Sequence, residues 1–252
     1  MKLDHLNDET IKEILMIQDR LKVMDAKAES RDSFLGYIKH VWPEFIEGEH
    51  HRLFAQKLED VAKGKIKRLI VNMPPRHTKS EFASVYFPSW FMGLKPNTKI
   101  MQTTHTAELS VRFGRKVRNL MDQNEYKQLF DDFGLSADSK SAGRWETNKG
   151  GEYFAAGVGG AITGRGADLL IIDDPHSEQD ALSPTAMESA YEWYTSGPRQ
   201  RLQPGGKIVL VMTRWTSKDL TGMLVKNQSE PKADQWHVVE FPAIMEHGSS
   251  SA

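Results

Sequence analysis

An α/β layer fold built on a mainly parallel sheet is the class this sequence predicts, and three observations predict it. From Lys67 onward, short apolar runs alternate with amphipathic helical segments, the pattern of a sheet with helices on its faces. The run Leu69-Ile70-Val71 leads into the loop Asn72-Met-Pro-Pro-Arg-His-Thr-Lys79-Ser80, and a helical segment follows from Ser80. Further on, Leu169-Leu-Ile-Ile-Asp173 has four apolar residues ending in an acid. That is a strand buried on both faces, with its carboxylate at the carboxyl edge of the sheet, where ligands of such folds gather.

Taken in order, Asn7-Asp8-Glu9 starts a helix, with Ile11, Ile14, Leu15, Ile17 and Leu21 at roughly helical spacing as far as Ala28. This segment is either a lid or partner-docking element or a helix packed outside the domain. The charged stretch Lys27–Asp32 after it is expected to be a linker. The segment from Phe34 to Phe45 is rich in aromatics, and Glu49–Ala62 is an amphipathic helix with Leu53, Phe54, Leu58 and Val61 on one face. Strands are expected at Arg68–Asn72, Thr98–Thr103, Arg144–Thr147, Glu152–Ala156, Leu169–Asp173, Lys207–Met212 and Trp236–Phe241. Helices are expected at Lys79–Leu94, where Gly93 and Pro96 end the run, and at Ala107–Asp122, Glu125–Phe130, Pro184–Thr195 and Ser217–Asn227. The turn Asn148-Lys-Gly-Gly151 separates two of the strands. This assigns residues 1–31 to an N-terminal helical extension, 32–242 to the α/β domain, and 243–252, with its Gly-Ser-Ser-Ser run, to a linker remnant or disordered tail.

Composition narrows the function classes. The chain has 252 residues and a formal net charge of −1, so a site for a polyanion must be a local patch. It contains no cysteine, which removes disulfides and thiolate metal sites and fits a reducing compartment. The first residues carry no apolar signal-peptide core, and no run approaches the roughly 18 apolar residues of a membrane span. A soluble intracellular protein is expected. The histidines are scattered, with no His/Asp/Glu spacing suggestive of zinc.

The chemistry concentrates in three stretches. A strand, a tight loop ending in Lys-Ser and then a helix is the layout of a phosphate-binding loop, in which backbone N–H groups face an anion, the Lys reaches the β and γ phosphates and the Ser hydroxyl meets Mg²⁺. Met73 and Thr78 stand where the pattern G-x-x-x-x-G-K-[ST] has glycine. Pro75, Arg76, His77, Thr78, Lys79, Ser80 and Glu81 are the expected nucleotide contacts. Asp173 suits the Mg²⁺ role, together with Ser80. Asp174 suits the role of activating water, with Glu178 in reserve. The buried strand Ile208–Met212 ends in Thr213-Arg214-Trp215, and Thr213, on a strand between the other two, could sense the γ-phosphate. Trp42, Phe45, His50 and His51 are candidates to contact a nucleotide base, or are simply core aromatics and solvated histidines. Arg112, Arg115 and Lys116, with Arg118 nearby, could touch DNA phosphates from one helix face, or form a solvated face.

In combination, Pro-Pro-Arg76-His-Thr-Lys79-Ser80-Glu81, Ile-Ile-Asp173-Asp174-Pro175, and Met-Thr213-Arg214-Trp215 with Asp219-Leu-Thr-Gly222 resemble the ATPase domain of large terminase subunits, the DNA-packaging motors of tailed bacteriophages. The resemblance runs from about Phe34 to Pro242. It implies a P-loop NTPase fold of the ASCE, RecA-like kind, with ATP and Mg²⁺ as ligands. It also implies that Arg76 senses or stabilises the γ-phosphate and that Thr213 lies in a coupling motif. An Arg in or near the run Gly157-Val-Gly-Gly160-Ala-Ile-Thr-Gly164-Arg165-Gly166 would reach a neighbouring subunit, and Arg165 is the candidate. Implied partners are double-stranded DNA, the portal protein, the small terminase subunit and other copies in a ring on the procapsid, with a monomer in isolation as the alternative and no membrane. The implied location is the host cell cytoplasm rather than the mature virion. Large terminases also carry a nuclease domain, and this chain is expected to lack one and to cleave no DNA. Two other readings stay open. One is a superfamily 2 helicase-like ATPase, which would need a second motor domain. The other is a nucleotide-gated assembly or scaffold protein with little turnover, favoured by Thr78 and by the short reach of Asp174.

Overall fold

The computed structural model describes residues 8–162 and 164–242. The expected tail at 243–252, residues 1–7 and Thr163 lie outside the described residues. An eight-stranded sheet runs β3-β4-β5-β2-β6-β7-β1-β8. Its strands are β1 (Arg68–Asn72), β2 (Lys99–Thr104), β3 (Leu135–Lys140), β4 (Arg144–Thr147), β5 (Glu152–Gly157), β6 (Ala167–Asp173), β7 (Leu202–Met212) and β8 (His237–Glu240). Pairings from β5 through β8 are all parallel, and β3 and β4 add an antiparallel edge. The mainly parallel sheet flanked by helices is therefore present as predicted. The edge strand β3 is an element that the sequence reading lacked.

Alternation along the strands divides the core between the two faces. Leu69, Val71, Leu169, Ile171, Val209 and Val211 point to one face, and Ile70, Leu170, Ile172, Ile208, Leu210 and Met212 to the other. Successive strand side chains must face opposite ways, so a run that is apolar at every position needs cover on both sides. The first face receives α2 (Phe34–Val41), α3 (Glu49–Ala62), α5 (Phe87–Leu94), α6 (Ala107–Met121) and α7 (Asn124–Leu129). The second receives α8 (Pro184–Ser196), α9 (Leu220–Asn227) and the segment around Ile162.

Two expectations are corrected. Lys27–Asp32 is not a linker, because α1 runs unbroken from Asp8 to Asp32. The break falls at Ser33, whose hydroxyl accepts from the Gly36 N–H and caps α2. The end of α1 is anchored by Trp90, whose indole N–H donates 2.7 Å to the Arg31 carbonyl. The expected helix Lys79–Leu94 is composite: α4 (Lys79–Glu81), a π-helical turn (Phe82–Tyr86) and α5. Pro88 has no N–H to offer the Ser84 carbonyl, and the Phe87 N–H reaches back to the Phe82 carbonyl instead. Among the described residues no helix is long and apolar enough to cross a membrane.

Candidate functional site

β7 lies between β1 and β6, so the carboxyl ends of these three strands meet at one point on the rim. Lys79, Asp173, Asp174 and Thr213 leave from those ends. The buried Lys79 ammonium donates to both carboxylate oxygens of Asp174 at 2.6 Å and to the Thr213 hydroxyl at 3.1 Å. Asp174 also accepts from the Thr213 N–H at 2.9 Å, and the Thr213 hydroxyl donates to the Met73 carbonyl at 3.3 Å. Asp174 itself sits at φ 42°, its carbonyl accepting from the His105 N–H.

Asp173 is buried, and serines from the first turns of the helix that follows the loop serve its two oxygens. Ser80 donates to one at 3.1 Å and Ser84 to the other at 2.7 Å. Gln102, on the neighbouring strand β2, donates its amide N–H to the Ser84 hydroxyl at 3.1 Å. Burial, then repulsion from Asp174, pushes the Asp173 carboxyl up to about 7. A hydroxyl and a carboxylate within 3.1 Å of each other form an oxygen-only donor pair. That suits Mg²⁺, which takes few protein ligands and completes its shell with phosphate oxygens and water. Among the described residues no group of three or more His, Cys, Asp or Glu side chains could hold a metal by itself.

The loop answers the question raised by its missing glycines. Thr78 adopts the left-handed conformation, φ 61° and ψ 9°, that glycine would supply, and Arg76 does so at φ 65°. Met73, at the first glycine position, is buried in the core and needs no left-handed backbone. Pro75, Arg76 and His77 are exposed at the tip, with His77 Nδ1 2.8 Å from the Pro75 carbonyl. Glu81 turns away from the loop into an ion pair with Lys116 of α6. This pair also alters the reading of the basic cluster: Arg112 and Arg115 are exposed on α6, whereas Lys116 ties that helix to the start of the loop helix. Glu178 is exposed beyond the strand end.

The aromatic candidates form a wall beside the loop. Trp42 stacks on Tyr86 with ring centroids 5.5 Å apart, and His51 stacks on Phe82 at 5.1 Å and meets Phe45 at 4.9 Å. His50 lies 3.8 Å from His51 and 6.0 Å from His77 between ring centroids. Arg165 is not brought to this rim of its own chain. It precedes β6, at the opposite end of a strand roughly 20 Å long, with its guanidinium 4.3 Å over the Phe154 ring.

Sequence reasoning missed Ser84, although it stands four residues after Ser80 on the same helix face; that spacing was the signal that could have found it. It also missed how the Thr213 loop is held. The buried carboxylate of Asp219 caps α9 through the Gly222 N–H at 2.9 Å, pairs with Arg214 at 2.9 Å, and accepts the Trp215 and Thr216 N–H groups. Gly222 must lack a side chain, since a Cβ there would lie 2.1 Å from the Ser217 carbonyl oxygen. Asn72, the last residue of β1, donates to Glu240 and accepts from Thr221, joining β1, β8 and α9 beside the site.

Among solved structures, the chain is similar to the large terminase of bacteriophage HK97, with a TM-score of 0.51 and 14% identity over 81% of this chain and 42% of that one. It is also similar to the large terminase of a thermophilic bacteriophage, solved in complex with ADP, with a TM-score of 0.48 and 13% identity over 74% of this chain and 44% of that one. The chain thus spans less than half the length of either protein. No protein-family model and no curated protein matches its sequence. At this identity the likeness to the HK97 protein is one of fold: a mostly parallel sheet flanked by helices.

Proposed function

We propose that this chain is the motor part of a large terminase, an Mg²⁺-dependent ATPase that drives double-stranded DNA into a phage procapsid. One observation carries the reading. Lys79, at the end of the loop, and the pair Asp173–Asp174, at the end of a distant strand, converge on one rim, with Ser80 3.1 Å from Asp173 and Lys79 2.6 Å from Asp174. A phosphate loop and the acids for metal and water have to meet in this way for phosphoryl transfer.

In this reading Lys79 leaves Asp174 for the β and γ phosphates of ATP, and Arg76 at the loop tip covers the γ-phosphate. Asp174, released from Lys79 and still held by the Thr213 N–H, takes a proton from the attacking water. That water oxygen bonds to the γ-phosphorus as the bond to the ADP oxygen breaks. Mg²⁺, held by Ser80 and Asp173, would supply charge neutralisation on the phosphate oxygens. Thr213 contacts both Lys79 and the Met73 carbonyl, so departure of the γ-phosphate is felt at the loop between β7 and α9. Double-stranded DNA, portal protein, small terminase subunit and further copies of the chain in a ring are the proposed partners, in the host cytoplasm.

The Lys79–Asp174 contact also favours a second reading, a nucleotide-gated scaffold in which the two groups stay paired and turnover is negligible. Phosphate release by the wild type, by Lys79→Ala and by Asp174→Asn, each with Mg²⁺ and with chelator, decides between them. The motor reading expects turnover only in wild type with Mg²⁺. Equal rates in all three proteins would sink it.

A further inference from the structure

The second glycine position of the phosphate loop holds a β-branched residue in a left-handed conformation, which side chains of that shape adopt rarely. Something must hold it there, and the neighbouring helix α3 supplies the contact. The N–H of Gly48, the residue before α3, donates to His51 Nδ1 at 2.8 Å. That bond makes Nδ1 the acceptor and leaves the ring proton on Nε2. Nε2 lies 2.6 Å from the Thr78 hydroxyl, and that hydroxyl in turn donates to the His77 carbonyl at 2.6 Å. Donors and acceptors therefore run in one direction along the whole series, from the Gly48 backbone through the imidazole and the threonine to the loop backbone. The ring has little freedom to do anything else, since it is buried and packed against Phe45 and Phe82. Burial also holds its pKa down to about 4, so the neutral tautomer that this series needs is the one present.

We propose that His51 is a positioning residue for the phosphate loop: through Thr78 it substitutes for the loop's missing second glycine, fixing the backbone turn that aims the N–H groups ahead of Lys79 at the phosphates. The inference rests on the nucleotide-binding reading above. It also explains why an aromatic wall beside the loop ends in a histidine rather than a third phenylalanine.

A double-mutant cycle tests it, using His51→Phe, which keeps the packing and loses the hydrogen bond, Thr78→Gly, which needs no strap, and the two combined. Two quantities are read on the whole chain: the dissociation constant of a fluorescent ATP analogue well below the melting temperature, and the melting temperature without nucleotide. His51→Phe should weaken nucleotide binding about tenfold in the wild-type background, the equivalent of one good hydrogen bond, and less than about twofold in the Thr78→Gly background. An equal loss in both backgrounds, or none in either, would overturn the proposal, as would a change in melting temperature with no change in affinity. If the wild type binds no nucleotide, the ATPase reading fails on its own. The melting-temperature cycle then judges the strap: coupling between the two positions supports it, and additivity overturns it.

Discussion

Lys79 and Asp174 neutralise each other across 2.6 Å, so neither can be replaced without leaving the other's charge uncompensated. Lys79→Ala should lower turnover by about 100- to 1,000-fold, the usual loss when a group that absorbs transition-state charge is removed, and steady-state phosphate release measures it. Asp173 makes a different prediction. Burial, and then the neighbouring Asp174 charge, push its carboxyl up from an ordinary value of 3.8 to about 7. A group raised in this way adds stability that is complete below the unfolded value and is lost as pH rises through the folded one. The ligand-free chain should therefore lose stability between about pH 4 and pH 7, and Asp173→Asn should flatten that slope in denaturant titrations at several pH values. Mg²⁺ needs the ionised form, so its affinity in the presence of ATP should weaken as pH falls below about 7.

The composite helix after the loop shows what an element adds. Ser80 and Ser84 stand four residues apart, one turn along the same face of this helix, and both reach Asp173. Ser84→Ala removes the closer donor from a buried carboxyl and should cost about 1–3 kcal/mol in thermal or chemical denaturation, more above pH 7 than below. At the other side of the site, Asp219 holds the Thr213–Thr216 loop and the first turn of α9 together. Asp219→Ala loses a helix cap and the main partner of Arg214, so a destabilisation of about 2–4 kcal/mol is expected, again by denaturation. Turnover should fall further than stability accounts for, because Thr213 loses its fixed position beside Lys79 and Asp174.

For the whole molecule, Arg165 lies on the rim opposite its own Lys79, over the Phe154 ring. Any contribution it makes to catalysis must be to another copy. If this chain is the proposed motor and Arg165 serves a neighbouring copy, the rate of phosphate release per chain should rise with protein concentration, as far as on the order of 10³-fold for a transition-state arginine. Arg165→Ala should abolish that rise while leaving ATP binding by dilute chains unchanged. A rate independent of concentration would remove Arg165 from the mechanism. The exposed apolar residues of α1, among them Ile17, Leu21 and Met24, are a property of the molecule as a whole, since none of the described helices covers them.

The order of the strands' chemistry was legible in the linear chain. The apolar runs before Asn72, Asp173 and Thr213 identify buried parallel strands, and burial on both faces leaves polar residues only at the ends. The residues of the site itself, Lys79, Ser80, Asp173, Asp174 and Thr213, could be chosen for the same reason: each stands just past an apolar run or at the head of a helix. Tertiary structure decided which of their neighbours act with them. His51 reaches Thr78, Ser84 reaches Asp173 and Asp219 closes the Thr213 loop through contacts of 2.6–3.2 Å. Two of these join distant parts of the chain, and all three depend on helix phase, ring orientation and backbone turns. Strand periodicity is a local property, written wherever a sheet is covered on both sides. A hydrogen bond between remote side chains exists only once packing has set their directions, and no local pattern encodes that.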